Sequence, residues 1–368
     1  MAQTLPAPGL ALPYREVEEV VQALSDLWSE LRGSRFFVTG ATGFFGRWFL
    51  EALLVANRTH DARVEIIALS RDPAGFIRKN PYLGANPSLR WVQGTVTTLR
   101  FEEIAASLGR ARLQCDTLVH LATEADNAAT VRDPSAATAV IADGTRRALE
   151  FAVKAGVKRM LYTSSGSVCA RGISQGELLT EEHPATRAPL DSQTAYGISG
   201  AAKRTAEALC AEYAAGHGLG VSIARCFTFA GPGMPVDGKF AFGNFLHDAL
   251  AGRRIVINGD GRPVRSYLYA SDLTRWLLTI LLRGAAGRSY NVGSESSISV
   301  RELAEAVICE TGSTVEIDVR GQGAPTAAAD FYVPSTARAR RELGLSEQIV
   351  LAETIRRSAA WLRPFVQH

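Results

Sequence analysis

The feature that most constrains the fold is a glycine-spaced loop in the stretch FFVTGATGFFGRW. It places Gly40, Gly43 and Gly46 between a short apolar run and a helical pattern. The first glycine permits a tight turn, the second lets the backbone approach a pyrophosphate, and the third lets the helix pack closely on the strand. The helix N-terminus then faces the phosphates. Because the loop follows a strand and opens a helix, it predicts a dinucleotide-binding domain.

The sequence after this loop continues as short apolar runs that alternate with longer helical patterns. Helices are predicted over 44–56, 135–154 and 194–215, between runs with strand character. Such alternation indicates an α/β Rossmann fold, a doubly wound parallel sheet with helices on both faces. After Phe229 the pattern loosens around an amphipathic helix near 242–250, which predicts a smaller C-terminal α/β substrate domain.

A separate helical pattern precedes the glycine loop. Apolar residues recur at helical spacing from Tyr14 to Leu31, which predicts a helix with one apolar face. We expect an N-terminal helical extension over 1–33, packed on the main domain or on a partner subunit. The Rossmann domain is then expected over 34–228. The mainly substrate-binding domain follows over 229–368, with 262–282 returning to the Rossmann core.

Composition excludes several functional classes. A net charge of +3 on 368 residues, without a basic block, argues against a nucleic-acid binder. The five cysteines are scattered without a CxxC pair or a His/Cys cluster, so neither a metal site nor a disulfide framework is expected. The N-terminal residues lack the pattern of a secretory signal, and the longest apolar run is too short to span a bilayer. We therefore expect a cytoplasmic protein with no membrane partner.

Further motifs follow the glycine loop in a characteristic order. They are HLAT (120–123), TSSGSV (163–168), GDGRPVRSYLYASDL (259–273) and YNVG (290–293). Together with the T-G-x-x-G-x-x-G loop, they resemble the extended short-chain dehydrogenase/reductases, also called the NAD-dependent epimerase/dehydratase family. The resemblance covers about residues 34–310. It implies an enzyme that oxidises a ring hydroxyl of a nucleotide-diphosphate sugar to a transient keto-sugar, and it implies a homodimer.

The resemblance also implies the residues that bind the nicotinamide cofactor. They are Gly40, Thr42, Gly43, Phe44, Phe45, Gly46, Ser70, Arg71, Thr95, Val96, Leu121, Ala122, Thr123 and Lys203. At the end of the second strand an acidic residue binds the ribose 2′-hydroxyl of NAD, whereas an arginine accommodates the 2′-phosphate of NADP. The stretch IIALSRDP offers Ser70 and Arg71 at that point, with Asp72 one or two places late. We therefore expect NADP rather than NAD.

The family's catalytic residues can be placed on two of these motifs. A tyrosine acts as acid/base there, a serine or threonine shares the proton, and a lysine lowers the tyrosine pKa and holds the nicotinamide ribose. Positive charge is needed because a free tyrosine has a pKa near 10. Ser165, at the end of the fifth strand, matches the serine. Glu124, directly after HLAT, is a candidate to supply a catalytic carboxylate from another side of the site.

The stretch TAYGISGAAKRTAE holds Tyr196 and Lys203 seven residues apart, where the family has a spacing of four. The downstream helix matches when Lys203 is the family lysine, so a three-residue insertion, GAA, is the simplest account. Ser199 then stands at the tyrosine position. Seven helical residues span about 10.5 Å of rise and still face one way. Either unwinding at Gly197 or Gly200 restores contact, or Lys203 serves the ribose while Tyr196 acts without it.

The substrate side is predicted from the same resemblance. Arg265 is the main candidate, because a guanidinium fork suits a diphosphate. Ser167, Thr228 and Asn244 are the other expected substrate contacts. The family's dehydratases carry an aspartate–glutamate pair directly after the serine or threonine, and its UDP-glucuronate decarboxylases keep a glutamate there. This chain has Gly166 and Ser167, which are poor acids and bases, so elimination through that pair is disfavoured.

Several functions remain open at this point. The main prediction is an epimerase/dehydratase-type enzyme that oxidises a sugar hydroxyl. One alternative is an NADPH-dependent carbonyl reductase or a nucleotide-sugar decarboxylase. The other is a cofactor-binding protein with degraded catalysis, suggested by the inserted GAA and by Cys169 and Thr228 at positions where the family has other residues.

Overall fold

The computed structural model describes residues 11–109, 113–124, 127–169, 176–183, 194–236, 238, 240–321 and 330–366. The strands in these ranges are β1 (Arg35–Thr39), β2 (Glu65–Ser70), β3 (Leu89–Gln93), β4 (Thr117–His120), β5 (Arg159–Ser165), β6 (Gly220–Cys226), β7 (Phe229–Ala230), β8 (Ile255–Ile257), β9 (Val264–Arg265), β10 (Leu268–Tyr269), β11 (Ser289–Val292), β12 (Ile298–Ser299) and β13 (Ile317–Val319).

The α-helices in the same ranges are α1 (Tyr14–Ala23), α2 (Phe44–Thr59), α3 (Pro73–Lys79), α4 (Pro81–Gly84), α5 (Phe101–Ser107), α6 (Asn127–Arg132), α7 (Pro134–Thr138), α8 (Gly144–Lys154), α9 (Ala195–His217), α10 (Ala241–Leu250), α11 (Ala270–Arg283), α12 (Val300–Thr311), α13 (Ala337–Leu343) and α14 (Leu351–Leu362). Short 3₁₀ turns lie at Val96–Thr98, Gly166–Val168 and Arg363–Phe365, and a π-helical turn lies at Ala139–Asp143.

Seven strands form one parallel sheet in the order β11-β6-β5-β4-β1-β2-β3. The strand order reverses between β1 and β4, where Thr39 pairs with His120 at the carboxyl ends. Open α/β sheets bind ligands in the crevice at such a reversal. Both faces of the sheet are covered, so β1 and β4 are almost continuously buried rather than alternating. The predicted doubly wound Rossmann fold is confirmed.

The two faces of the sheet carry separate apolar layers. One joins α1, α2 and α11, and the other joins α5, α8 and α9. A third cluster packs α10, α12 and α14 around the β8–β13 pair, away from the main sheet. The helix α11 contacts β5 and β6 of the main sheet although it follows β8, β9 and β10 in the chain.

The N-terminal pattern gives a shorter helix than the sequence predicts. The helix α1 ends at Ala23, and the chain continues through turns to Gly33, although Leu27, Trp28 and Leu31 stay buried. The indole N–H of Trp28 donates back to the Val21 carbonyl at 2.8 Å, which fixes the apolar side chains without helical backbone. This segment packs on α2 and α11 of the same chain.

The predicted helix over 135–154 is interrupted. It consists of α7, the π-helical turn Ala139–Asp143 and α8. The Thr145 hydroxyl donates to the Ile141 carbonyl at 2.6 Å, so a side chain competes for the backbone acceptors at this point. The widened turn lies beside the crevice, where Val140 is one of the lining residues.

In the part of the chain that the structure describes, no helix is long and apolar enough to cross a membrane. Within the same residues, no group of three histidine, cysteine, aspartate or glutamate side chains is placed to hold a metal ion.

Candidate active site

A cavity of about 1000 Å³ lies at the carboxyl ends of the strands, next to the reversal of strand order. It brings together residues from the glycine loop, from the ends of β2, β4 and β5, from α9 and from the chain after β6. The predicted site residues that line it are Gly40, Thr42, Gly43, Phe44, Phe45, Gly46, Ser70, Arg71, Thr95, Val96, Leu121, Ala122, Thr123, Glu124, Ser165, Ser167, Tyr196, Lys203, Thr228 and Arg265.

The glycine loop has the geometry of a dinucleotide site. Gly40 has φ +69°, and a Cβ there would lie 2.6 Å from the Ala122 backbone nitrogen. A Cβ at Gly46 would lie 2.3 Å from the Gly40 carbonyl oxygen. At Gly43 the nearest atom would be 3.4 Å away, so this glycine leaves space rather than avoiding a clash. The loop therefore has a cradle open to a pyrophosphate at the N-terminus of α2.

The carboxylate that follows β2, that of Asp72, is engaged in a local hydrogen bond. Asp72 caps α3, since its Oδ1 accepts a hydrogen bond from the Gly75 amide at 2.8 Å. Ser70 is buried, and its hydroxyl accepts from the Asp72 amide at 3.3 Å. The Arg71 side chain is exposed at the cavity. A cationic side chain therefore lines the cavity at the end of β2.

Lys203 is buried and directed at the carboxyl end of β5. Its Nζ donates to the Thr163 carbonyl at 2.6 Å and lies 4.9 Å from the centre of the Tyr162 ring. Burial lowers the pKa of Lys203 to about 8. The ammonium is thus held beside a carbonyl and a ring face, at the wall of the cavity.

A second buried group near this wall is a neutral histidine, His120. His120 stacks on Tyr162 with ring centres 5.8 Å apart. Its Nδ1 contacts the Thr39 hydroxyl at 2.7 Å and its Nε2 the Thr145 hydroxyl at 3.1 Å. Burial, aided by the nearby Lys203 charge, lowers the pKa of His120 to about 3. The imidazole therefore ties β1, β4 and α8 together as an uncharged group.

The helix carrying Tyr196 and Lys203 is unbroken. It runs from Ala195 to His217, with the Thr194 hydroxyl accepting from the Gly197 amide at 3.1 Å. The local unwinding considered above does not occur. A Cβ at Gly200 would lie 2.3 Å from the Ser167 carbonyl oxygen, so no lysine fits at that position.

Tyr196 and Lys203 accordingly have different partners. The Tyr196 phenol donates toward the carbonyls of Gly166 and Cys169, at 3.3 and 3.2 Å. Ser199, four residues before Lys203, also lines the cavity between them. The face of α9 therefore presents a phenol, a hydroxyl and an ammonium in turn.

Ser165 is both a local cap and a cavity residue. Its hydroxyl accepts from the Ser167 amide at 3.1 Å, at the start of the 3₁₀ turn Gly166–Val168. The hydroxyls of Ser164 and Ser167 are buried at the cavity wall without a hydrogen-bond partner among the described residues. A buried hydroxyl without a partner is costly, which indicates that a ligand or water meets these groups.

The substrate side is organised around Arg265. Its guanidinium pairs with the Asp330 carboxylate at 2.6 Å and donates to the carbonyls of Val264 and Asp330. The pair neutralises part of the charge that was predicted to meet a diphosphate. Glu124 supplies the cavity's carboxylate, the sole one among the described lining residues.

The geometry separates Asn244 from this group. Asn244 lies on α10, and its Oδ1 accepts from the Gly238 amide at 3.0 Å. It is absent from the described residues that line the cavity.

Sequence reasoning missed one prominent side chain of the site, Tyr332. It lines the cavity next to Tyr196, with their rings edge to face at 5.8 Å. No motif marks it, because it follows YNVG by almost forty residues in an irregular stretch. The available signal was the aromatic pair Phe331–Tyr332 before Val333 and Pro334, which is too weak to predict a site residue.

Proteins of known activity are similar to this chain over most of its length. A dTDP-glucose 4,6-dehydratase of Streptomyces griseus is 26% identical over 335 residues, covering 89% of this chain and 94% of that protein. The UDP-glucuronic acid decarboxylase 1 of Arabidopsis thaliana is 27% identical over 339 residues, covering 89% and 70%.

Two solved structures have the same fold. A dTDP-glucose 4,6-dehydratase from Streptomyces venezuelae, with NAD bound, aligns with a TM-score of 0.74 at 27% identity, covering 90% of this chain and 97% of that one. A UDP-glucose 4-epimerase from Thermotoga maritima, with UDP-glucose, aligns with a TM-score of 0.76 at 21% identity, covering 90% and 100%.

The model of the NAD dependent epimerase/dehydratase family matches residues 36–293, from β1 to the end of the YNVG motif. This range contains the glycine loop, the reversal of strand order and the serine, tyrosine and lysine of the cavity. The chain belongs to the NAD dependent epimerase/dehydratase family.

Proposed function

We propose that this protein oxidises a ring hydroxyl of a nucleotide-diphosphate sugar to a transient keto-sugar and then reduces it again, as an epimerase does. The observation that carries the proposal is the single cavity. It joins the glycine loop to Ser165, Tyr196 and Lys203 on one side and to Arg265 on the other. Dehydratase and decarboxylase relatives act on such sugars, as their names state.

The cofactor would be held by the glycine loop, the end of β2 and Lys203. When bound, the nicotinamide supplies the acceptor and donor of hydride. Lys203 would contribute positive charge to hold the nicotinamide ribose. Ser165 would contact the reacting hydroxyl. Tyr196, entering the cycle as its phenolate, would take the hydroxyl proton and return it to the carbonyl oxygen when the keto-sugar is reduced. The proton count is therefore unchanged over one cycle.

The acids and bases among the described lining residues support epimerisation as the reaction type. Elimination or water loss needs a second acid/base pair at the neighbouring carbons. Gly166 and Ser167 supply none, and Glu124 is the remaining carboxylate among the described lining residues. Oxidation followed by reduction needs only the hydroxyl-bearing residues and the cofactor, which favours epimerisation.

We further propose that the cofactor is NADP, on the strength of Arg71. Relatives of known structure include proteins with NAD bound. Here, however, Asp72 is engaged as a helix cap and Arg71 is exposed at the cavity. Titration of the purified protein with NADP and NAD should give the lower Kd for NADP. Replacing Arg71 with serine should reduce that preference several-fold, because an exposed charge–phosphate contact is worth about 1 kcal/mol.

The same arginine favours a second candidate, an NADPH-dependent keto-sugar reductase. The two functions differ in what happens to the cofactor. An epimerase restores it in each cycle, whereas a reductase consumes NADPH in proportion to product.

The deciding experiment incubates the purified protein with UDP-glucose, dTDP-glucose or UDP-glucuronic acid. Products are followed by NMR and the nicotinamide by absorbance at 340 nm. Epimerised sugar without net absorbance change supports the main proposal, and loss of water or carbon dioxide would replace it with dehydratase or decarboxylase activity. Tight cofactor binding with no product and no transient reduction would indicate a cofactor-binding protein without catalysis.

A further inference from the structure

The backbone holds Tyr332 in place on both sides. The Tyr332 amide donates to the Val264 carbonyl at 3.1 Å, and the Val264 amide donates to the Asp330 carbonyl at 2.8 Å. The next residue, Val333, accepts from the Leu179 amide at 2.9 Å. This short segment bridges β9 and the region after β5, so the Tyr332 side chain enters the cavity from a fixed base.

Three side chains orient the Tyr332 ring. The Phe227 ring lies 4.8 Å away at 30°, and the Tyr196 ring lies 5.8 Å away at 83°. The Arg265 guanidinium carbon lies 5.6 Å from the ring centre. These contacts use the ring and leave the phenol oxygen directed at the start of the 3₁₀ turn.

The phenol oxygen lies beside Ser165 and Gly166. A Cβ at Gly166 would be 2.5 Å from the Tyr332 oxygen and 2.6 Å from the Phe227 ring. Gly166 has no positive φ, so the absence of a side chain there serves clearance rather than backbone conformation. Gly166 therefore leaves the space that the Tyr332 phenol occupies.

We propose that Tyr332 is a catalytic residue whose phenol donates a hydrogen bond to the substrate oxygen that Ser165 also contacts. The inference rests on the proposed function and extends it to a residue outside the family motifs. A donor fixed toward an oxygen on which negative charge develops lowers the barrier without reorganisation.

The electrostatics of Tyr332 suit donation rather than proton abstraction. Burial raises the pKa of Tyr332 well above its usual range, the nearby Tyr196 raises it further, and a side-chain hydrogen bond with Ser165 opposes the shift. The phenol thus keeps its proton at neutral pH. This separates its role from that of Tyr196, which must accept a proton in the same cycle.

Tyr332→Phe tests the proposal, because it keeps the ring and removes only the hydroxyl. We expect kcat to fall on the order of 100-fold, as for loss of one oxyanion donor. The Kd of UDP-glucose or dTDP-glucose should rise about 3- to 10-fold, as for one lost hydrogen bond. The Kd of UDP or dTDP, which lack the sugar, should not change. Tyr267→Phe, at a buried tyrosine outside the described cavity lining, is the matched control.

Gly166→Ala provides an independent variant. Its methyl group should displace the phenol and reproduce the kcat loss, and the double variant should be no worse than either single one because both remove the same contact. A Tyr332→Phe protein with kcat within twofold of wild type and unchanged sugar binding would overturn this inference alone. A wild-type protein that binds no nucleotide sugar would overturn the proposed function, and this inference with it.

Discussion

The half of the cavity proposed to bind the cofactor is built from backbone, whereas the half proposed to bind the substrate is built from side chains of distant segments. In the first, Gly40, Gly43 and Gly46 bring main-chain groups together within one turn. In the second, Ser165, Arg265 and Tyr332 come from three segments and already contact one another or local partners. A backbone site tolerates few changes at its glycines, whereas a side-chain site can exchange its residues one at a time.

The largest expected effect is in the backbone half. Gly46→Ala would place a methyl group against the Gly40 carbonyl, so the loop must shift. We expect cofactor Kd to rise at least 100-fold and unfolding free energy to fall by about 1–3 kcal/mol, the usual cost of overpacking. Isothermal titration and thermal melts measure the two.

Gly43→Ala is the comparison variant for Gly46→Ala. A Cβ at Gly43 would lie 3.4 Å from the Gly40 carbonyl oxygen, which is an ordinary van der Waals distance. This variant should keep the melting temperature and weaken only cofactor binding. Equal destabilisation by both variants would contradict the assignment of separate roles to the two glycines.

The next largest effect is expected for Lys203, where the two halves of the cavity meet. Lys203→Met should lower kcat on the order of 100-fold, because a buried ammonium near the reacting groups is replaced by an uncharged chain of similar length. Arg204→Met is the control, one position along the same helix, where the guanidinium donates to the Val168 carbonyl at 3.4 Å. If the two variants retain similar activity, Lys203 has no special role.

The same lysine predicts a pH dependence. Because the pKa of Lys203 is lowered to about 8, its charge is present below that pH and is lost as the pH rises through it. Cofactor affinity should therefore fall up to about tenfold per pH unit above 8, and this slope should vanish in Lys203→Met.

Stability should change in the opposite direction from affinity. The lysine pKa is about 10.4 when unfolded. Between pH 8 and that value the unfolded chain binds more protons, so the folded state gains stability from this group as the pH rises. Urea unfolding at pH 7.5 and 9.5 measures the gain against Lys203→Met. An affinity profile that is flat from pH 7 to 9.5 would contradict the assigned contact with the cofactor.

The smallest expected effect is in the side-chain half. Arg265 is paired with Asp330, so Arg265→Gln should weaken UDP or dTDP binding only about fivefold, less than for an unpaired guanidinium. Asp330→Asn should strengthen that binding by a similar factor, because the guanidinium regains charge for the phosphates. Weaker binding in Asp330→Asn would show that the carboxylate positions the arginine instead. Calorimetric titration with UDP measures both.

The fold and the cofactor half could be predicted because the relevant information is local. A strand, a glycine turn and a helix stand within a dozen residues of the chain, and their spacing alone specifies the turn. The position of Lys203 at the cavity could likewise be predicted from the helix that follows it. The structure then adds a reason, since Gly200 packs on the Ser167 carbonyl and leaves no room for the alternative register.

The substrate half could not be predicted to the same degree. The position of Tyr332 depends on a backbone pairing between Phe331 and Val264, far apart in the chain, which no periodicity encodes. The length of α1 was misjudged for a related reason. Turns can bury residues at the same spacing when the Trp28 indole donates a hydrogen bond back to the Val21 carbonyl. The spacing of the apolar residues therefore predicts which side chains are buried, but not that the backbone is helical.

The packing of α1 has a consequence for the order of events during synthesis. Glu16 on α1 receives a hydrogen bond from Tyr269, 253 residues later in the chain. At roughly 5–20 residues per second, translation separates these two residues by about 10–50 s. During that interval the apolar face of α1 can meet α2 but not α11. The earliest helix of the described chain is therefore among the last to acquire its full set of neighbours, and part of its apolar face stays in water until α11 has been synthesised.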